Sequence, residues 1–266
     1  MLLAVAVIFC LGLAIGSFLN VVIYRSVHHD SPLRGRSYCD FCKKPIAWYD
    51  NIPLISFIVL RRKCRHCHAK IPWEYPTVEL LTGLLFAWWY VVGFTFFKLT
   101  ELPFGFLQPL FWLTVGILFV VIVFADLSYM IIPDSAVLLL SIAALSYRGM
   151  LVAQGIMNGD DFWKSIASAI GALAFFLLLT VITRGKGMGM GDVKLAFPLG
   201  LILGFPLTIV AIFLSFILGS LVAIPMLLLR TKKLKSVIPF GPFLIVASVI
   251  ALVWGEPLLA WYVQFL

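Results

Sequence analysis

Residues 107–126 read LQPLFWLTVGILFVVIVFAD, a 19-residue apolar run (107–125) followed by Asp126. A run of this length can cross the hydrocarbon core of a bilayer as an α-helix. A carboxylate at the boundary of a membrane is costly, and such residues are commonly functional. The run therefore predicts a transmembrane helix with a candidate functional residue at its end.

The whole chain has the composition of a membrane protein. Of its 266 residues, 62% are hydrophobic and 12% are charged, against about 45–50% and about 25% in soluble domains. We predict an all-α polytopic membrane protein with about eight transmembrane helices, the sixth of which is short and ends before Pro206. The predicted spans are 2–24, 78–97, 107–125, 135–153, 165–183, 195–204, 206–229 and 238–255.

Basic residues predict the orientation of these spans. Of the 20 Lys and Arg residues, 17 lie in the segments 25–76, 184–194 and 230–235. Because cytoplasmic loops are enriched in Lys and Arg, all three segments are expected in the cytoplasm, with both chain termini outside. This division predicts a first span at 1–24, a cytoplasmic loop domain at 25–76 and a helical membrane domain at 77–266.

Four cysteines in the loop domain predict a structural zinc site. Cys39 and Cys42 form one Cys-x-x-Cys pair, and Cys64 and Cys67 form a second pair after 21 intervening residues. Two such pairs supply the four thiolates of a tetrahedral Zn²⁺. The alternatives are disulfides, which a reducing cytosol disfavours, or ligation by His66 or His68. Cys10 lies within the first span and is interpreted as a packing residue.

The loop domain is also expected to contact membrane lipids. The stretch 51–60 between the two cysteine pairs is apolar and would lie against the membrane surface or the other spans. The ten basic residues of the loop can attract anionic headgroups.

A second candidate aspartate, Asp192, ends the sequence GMGMGD at residues 187–192. The predicted topology brings it to the same membrane face as Asp126. If the two carboxylates meet, they can share one proton and activate water as in aspartic proteases. The alternating glycines, Gly189 and Gly191 among them, allow positive φ angles and the close approach of another chain. Each aspartate can instead be a helix-end carboxylate or an N-cap, a role that Asp134 fits better.

Motifs along nearly the whole chain resemble those of the type 4 prepilin peptidase family, which are membrane aspartic proteases of the Gly-x-Gly-Asp group. Besides the two cysteine pairs, the motifs are GSFLNVVIYR (16–25), DNIP (50–53), YPTVELLTG (75–83), DL (126–127) with IPD (132–134), GMGDVK (189–194) and PFGPF (239–243).

The resemblance implies that Asp126 and Asp192 form the catalytic dyad. It implies cleavage of prepilins and pilin-like secretion subunits after the glycine of a short basic leader, at the cytoplasmic face of the bacterial inner membrane. It further implies N-methylation of the new amino terminus with S-adenosylmethionine.

Glu79 is a candidate residue for binding the substrate amine during methylation, although a buried pair with Arg25 is an alternative. Two other classes of protein compete with the peptidase hypothesis: a transporter that uses the aspartates as a cation site, and an assembly scaffold of a pilus or secretion machine. No nucleic-acid partner is expected, and the sequence leaves the oligomeric state open.

Overall fold

A computed structural model describes residues 2–28, 30–31, 35–96, 103–185, 187–229 and 238–264. Over these ranges the regular structure is helical, with no strand beyond two isolated β-bridges. This confirms the all-α class. The helices are α1 (Leu2–Val27), α2 (Ile55–Val59), α3 (Glu74–Phe96), α4 (Phe104–Tyr129), α5 (Asp134–Ala153), α6 (Gly159–Ile182), α7 (Met190–Leu203), α8 (Leu207–Leu228) and α9 (Gly241–Val263), with a 3₁₀ turn at Trp48–Asn51.

Seven of the described helices are long and apolar enough to span a membrane, namely α1, α3, α4, α5, α6, α8 and α9. The predicted sixth span, 195–204, falls in α7, which has only 14 residues. At 1.5 Å per residue α7 is about 21 Å long, shorter than a hydrocarbon core of about 30 Å. The predicted number of about eight transmembrane helices is therefore reached only if α7 is counted with the seven long helices. At its length α7 crosses only part of the membrane. The basic segment 230–235, used above for orientation, lies outside the described residues.

The chain forms two compact units, Met1–Ser128 and Tyr129–Leu266. In the first unit, α1 and α3 pack antiparallel through glycines. A Cβ on Gly12 would lie 2.8 Å from the Cα of Gly83, and a Cβ on Gly16 would lie 2.7 Å from the Cα of Glu79. One turn further along α1, Asn20 donates a hydrogen bond to the carbonyl of Tyr75 at 3.1 Å. Small residues four apart let two backbones approach closely, which is a common way to join helices in lipid.

In the second unit, the short helix α7 packs against α5, α6 and α9, and ten of its 14 residues are buried. Its contact with α6 is again made at a glycine, because a Cβ on Gly200 would lie 2.5 Å from the Cα of Ala169. At the far end of α7, Gly204 has a φ of +69°, which ends the helix. Arg148 of α5 donates a hydrogen bond to the carbonyl of Ile202 there at 2.9 Å. The guanidinium thus satisfies a helix-end carbonyl that would otherwise lose water in an apolar environment.

The close packing at Gly16 predicts that a Gly→Ala substitution destabilises the protein there but not at Gly171, which is not packed. Gly16→Ala should lower the free energy of unfolding by about 1–3 kcal/mol, since the added methyl group overpacks the α1–α3 contact. Gly171→Ala in α6 has open space around its Cβ position and should be neutral or stabilising by up to about 1 kcal/mol, since Ala favours helices over Gly. Thermal unfolding in detergent measures both. Equal melting temperatures for the two variants would contradict the proposed close packing.

Candidate active site and cysteine cluster

The four loop cysteines converge in the structure as the sequence predicts. One Sγ atom from each of Cys39, Cys42, Cys64 and Cys67 lies within 4.8 Å of the others, and the Sγ atoms of Cys39 and Cys67 are 3.8 Å apart. Ligands 2.3 Å from a tetrahedral zinc ion are separated by about 3.8 Å. The described thiols are not joined as disulfides. The donor set and its spacing therefore fit a four-thiolate zinc site.

The two cysteine pairs adopt the same hairpin, offset by 25 residues. In the first, the Cys39 N–H bonds to the carbonyl of Lys44, and Lys43 has a φ of +55°. In the second, the Cys64 N–H bonds to the carbonyl of Ala69, and His68 has a φ of +57°. Each hairpin is closed by one β-bridge, and each is followed at equal spacing by an Ile and a Trp. The bridges are Tyr38–Pro45 in the first hairpin and Lys63–Lys70 in the second. The first hairpin is followed by Ile46 and Trp48, and the second by Ile71 and Trp73. This short repeat was not predicted, although its signal in the sequence is the shared spacing of Ile and Trp after each cysteine pair.

The hairpins favour the thiolate state at one sulfur. Backbone N–H groups of Cys67 and His66 donate to Cys64 and lower the pKa of its thiol to about 7. At Cys67 the backbone N–H of Ala69 acts in the same direction, but burial and the neighbouring thiols outweigh it and raise the pKa to about 11. Four thiolates this close repel one another, so full deprotonation requires a bound cation.

An ion pair joins the second hairpin to the 3₁₀ turn that follows the first. Arg65 donates to both carboxylate oxygens of Asp50, at 2.6 and 2.8 Å, and its guanidinium lies 5.4 Å from the ring centroid of Tyr49. The hydrogen bond from Arg65 lowers the pKa of Asp50. A depressed carboxyl pKa stabilises the fold above the ordinary Asp pKa of about 3.9, and this stabilisation is lost as the pH falls through the lowered value. From the sequence, Asp50 was identified only as part of the DNIP motif.

Asp126, the first predicted catalytic residue, lies in the last turn of α4. Its side chain is 6% exposed, and the two residues before it, Phe124 and Ala125, are also buried. The helix continues for three residues to Tyr129, so the carboxylate is within the helix rather than at its end. Burying a carboxyl group in this position is costly unless the group is partnered. Acidic residues that are nevertheless buried in membrane segments are commonly functional.

Asp192, the second predicted catalytic residue, is the third residue of α7 and is 7% exposed. The N-cap of α7 is Gly189, so the interpretation of Asp192 as an N-cap is wrong. Gly189 leaves room at the carboxylate, because a Cβ there would lie 3.6 Å from Oδ2 of Asp192. Gly191 packs against Ile132, whose Cβ would lie 3.0 Å from an added methyl. A side chain would therefore be crowded at Gly191, whereas a methyl group at Gly189 would make only ordinary van der Waals contact. Neither glycine has a positive φ.

Asp134, which the sequence suggested as an N-cap, is instead the first residue of α5 after the N-cap Pro133. Its two carboxylate oxygens accept hydrogen bonds from Nζ of Lys194 at 2.8 and 2.9 Å. Lys194 lies two residues after Asp192 on α7. The pair therefore ties the start of α5 to the turn that carries Asp192. Their opposite charges were the only signal of this contact in the sequence.

Glu79, the third candidate, is buried in the first unit with 8% of its surface exposed. Its Oε2 accepts a hydrogen bond from the Leu54 N–H at 2.8 Å. Leu54 has a φ of +59°, an unfavourable conformation for a branched residue that costs about 1–3 kcal/mol. The Glu79 carboxylate thus holds a strained turn of the loop domain against α3. Arg25, the alternative partner from the sequence, donates to the carbonyls of Ser31 and Arg36.

A cavity of about 200 Å³ in the first unit includes Glu79 in its wall. Polar side chains from α1, the loop domain and α3 line it beside apolar ones. The polar residues of the wall include Ser17, Asn20, Arg25, Asp50 and Asn51. A concave site of mixed polarity with a buried carboxylate is typical of small-molecule binding sites.

These features define a helical polytopic membrane protein with a four-cysteine loop and two buried aspartates, one in the last turn of α4 and one in the first turn of α7. Comparison with known proteins identifies the family. Residues 10–92 match the bacterial peptidase A24 N-terminal domain, and residues 112–224 match the type IV leader peptidase family. The chain belongs to the type IV leader peptidase family. No solved structure matches it.

Full-length relatives support this assignment. Proteins named prepilin leader peptidase/N-methyltransferase from Aeromonas hydrophila, Legionella pneumophila and Bacillus subtilis are 35%, 31% and 30% identical to the chain. The alignments cover 97%, 96% and 97% of this chain and 93%, 92% and 98% of the relatives. The matched N-terminal domain contains the four cysteines and Glu79, whereas the matched peptidase region contains both aspartates.

The cysteine geometry predicts the metal content of the purified protein. We expect about one zinc ion per chain for the wild type and for Cys10→Ser, because Cys10 lies apart in α1. Cys42→Ser removes one of four thiolates and should lower the zinc content at least about tenfold under chelator challenge. Elemental analysis after dialysis measures this. Wild-type zinc content in Cys42→Ser would contradict the four-thiolate site.

Proposed function

We propose that the chain is a bifunctional membrane enzyme. It is an aspartic endopeptidase that removes the leader of type IV prepilins and pilin-like secretion subunits, and it N-methylates the new amino terminus with S-adenosylmethionine. The single observation that carries this proposal is the family match, which extends over nearly the whole chain and its relatives. The transporter and scaffold alternatives lose support, because the matched relatives are named as enzymes.

Asp126 and Asp192 are the proposed catalytic dyad. Each is an acidic residue buried near the end of a helix in a membrane domain. Because burying a carboxylate there is costly, each is a candidate catalytic residue. The ionised member takes a proton from a water molecule, whose oxygen attacks the carbonyl carbon of the leader glycine. The protonated member donates a hydrogen bond to the carbonyl oxygen as charge develops there. The C–N bond then breaks, and a proton passes to the leaving amine.

Gly189 and Gly191 belong to the proposed active-site loop. Side chains at these positions would fill space beside the Asp192 carboxylate and against Ile132. The Lys194–Asp134 ion pair, two residues beyond Asp192, holds the same turn in place. A narrow, side-chain-free approach suits a peptide that must bring its backbone close to a carboxylate.

The membrane orientation is also part of the proposal. The segment between α1 and α3 carries most of the basic residues of the first unit, which favours placing it in the cytoplasm of a bacterial inner membrane. With that orientation the end of α4 and the start of α7 face the cytoplasm too, as does the proposed dyad. A basic leader synthesised in the cytoplasm would reach the dyad without crossing the membrane.

For methylation we propose the cavity that contains Glu79. S-adenosylmethionine would supply the methyl group as an electrophilic sulfonium. Glu79 is a buried carboxylate in a cavity wall and would hold the cationic amino terminus of the processed subunit before it loses a proton. The cysteine cluster stabilises the loop that forms the opposite wall, so zinc is assigned a structural role.

The dyad is tested by conservative substitutions. Asp126→Asn and Asp192→Asn should each reduce prepilin cleavage by about 10²–10⁴-fold or more, because an amide can neither accept the water proton nor donate an acidic one. Asp160→Asn, an exposed position in the first turn of α6, is the matched control and should cleave normally. Mass spectrometry of a prepilin incubated with purified enzyme measures leader loss. Wild-type cleavage by either dyad variant, with melting temperature unchanged, would refute the assignment.

Methylation is tested separately with Glu79→Gln. Glutamine keeps the size of the side chain and an oxygen that can accept the Leu54 hydrogen bond, but removes the charge. We expect methylation to fall by about tenfold or more while cleavage stays near wild type, since a lost charge-assisted contact is worth about 1.5–3 kcal/mol. Glu74→Gln, an exposed residue at the start of α3, is the control. Equal losses of both activities, or no loss, would contradict the role of Glu79.

A further inference from the structure

The short helix α2 (Ile55–Val59) presents an apolar surface that the described protein leaves open. Ile55, Ile58 and Val59 are 59%, 72% and 67% exposed. The opposite side of α2 is packed, because Ser56 is buried and donates to the carbonyl of Tyr49 at 2.9 Å. Phe57 lies 5.0 Å from the ring of Trp73, measured between centroids. The Ser56 hydroxyl and the Phe57 ring thus face the protein, and Ile55, Ile58 and Val59 face away from it.

The hydrogen bonds of the first unit fix the level of α2 along the spans. Leu54, the residue before α2, bonds to Glu79, which lies five residues inside α3. Five residues correspond to about 7.5 Å below the start of that helix. The Glu79 backbone in turn contacts Gly16, eleven residues or about 16 Å before the end of α1. The chain therefore leaves α1, folds back along it, and begins α2 at the level of the first turns of a membrane span.

At this level α3 itself has the exposure pattern of a surface in lipid. Leu80, Leu81 and Leu84 are 42%, 47% and 50% exposed, and the helix is apolar enough to span the membrane. Apolar side chains that are exposed at the same depth as a lipid-facing helix need no protein partner, because the acyl chains of the lipids cover them.

The residues that follow α2 have the charge that a membrane surface requires. Arg61 and Arg62 both have positive φ, at +49° and +61°, and their N–H groups close the end of α2 on the carbonyls of Ile58 and Phe57. This turn ends α2, and the second cysteine hairpin follows it at Lys63. Arg61 is exposed, Arg62 lies over the ring of Trp73 at 5.2 Å, and Trp73 is 59% exposed. An apolar segment bordered by a Trp and cations is typical of helices at a bilayer interface.

From this arrangement we infer that α2 inserts into the lipid leaflet at which α1 ends and α3 begins. Lipid of that leaflet covers the exposed apolar face of α2. Ile55, Ile58 and Val59 contact acyl chains, and Arg61 contacts anionic headgroups. The cysteine loop is thereby attached to the bilayer between its two spans, independently of which reactions the enzyme catalyses.

Site-specific photo-crosslinking tests the inference in the full chain. The photoreactive residue p-benzoylphenylalanine replaces Ile58 in protein reconstituted into nanodiscs of equal parts phosphatidylcholine and phosphatidylglycerol. Leu84 is the positive control in the span, and His66, an exposed residue of the second cysteine hairpin, is the negative control. After irradiation, intact-mass spectrometry counts lipid adducts. We expect adducts at 58 with a yield within about twofold of that at 84, and at least about tenfold fewer at 66.

Two further outcomes decide the inference. A yield at 58 as low as that at 66 overturns the insertion of α2, as does replacement of the lipid adduct by a prepilin adduct when substrate is added. Phosphatidylglycerol should exceed phosphatidylcholine among the adducts at 58 by up to about fivefold, and Arg61→Gln should reduce this excess. Equal labelling of the two lipids in the wild type overturns the role of Arg61. Zinc content and melting temperature establish that each labelled protein is folded.

Discussion

The backbone contact between α1 and α3 is the constraint on which the first unit depends. Gly12 and Gly16 meet Gly83 and Glu79 at distances that leave no room for a Cβ atom, so the two helices can pack in only one register. That register determines where Glu79 lies, and Glu79 in turn holds the strained backbone of Leu54. The position of the loop domain against α1 and α3, including its cavity and its apolar helix α2, thus depends on the close contacts at Gly12, Gly16 and Gly83.

In the second unit, a close glycine contact again brings two helices together, and here it positions the short helix α7. Gly200 brings α7 against α6, and Arg148 satisfies a carbonyl at the end of α7. Lys194 and Asp134 hold the beginning of α7. A helix too short to cross the bilayer is thus anchored at both ends, and its first turn carries Asp192. Hydrophobic burial alone would let such a helix slide along its axis, whereas polar contacts at the ends oppose this.

The sequence predicted much of this architecture, because hydrophobic length and cysteine spacing report directly on spans and on metal ligands. The convergence of the four cysteines was predicted correctly, as was the all-helical membrane class. The start of α7 was placed at residue 195 instead of Met190, since the alternating Met and Gly residues before Asp192 have no apolar periodicity that indicates a helix. The Asp50–Arg65 and Lys194–Asp134 pairs could not be predicted, because pairing of charges depends on tertiary contacts that periodicity does not encode.

The matched hairpins of the cysteine loop have a consequence for the order of assembly. Each hairpin supplies two of the four sulfurs, so neither can complete a tetrahedral site alone. During synthesis Cys67 emerges last, only seven residues before α3 begins. A metal ion held by all four sulfurs would therefore close the loop only after Cys67 has been synthesised, shortly before α3. Metal binding would in this way link the folding of the loop to the insertion of the second span.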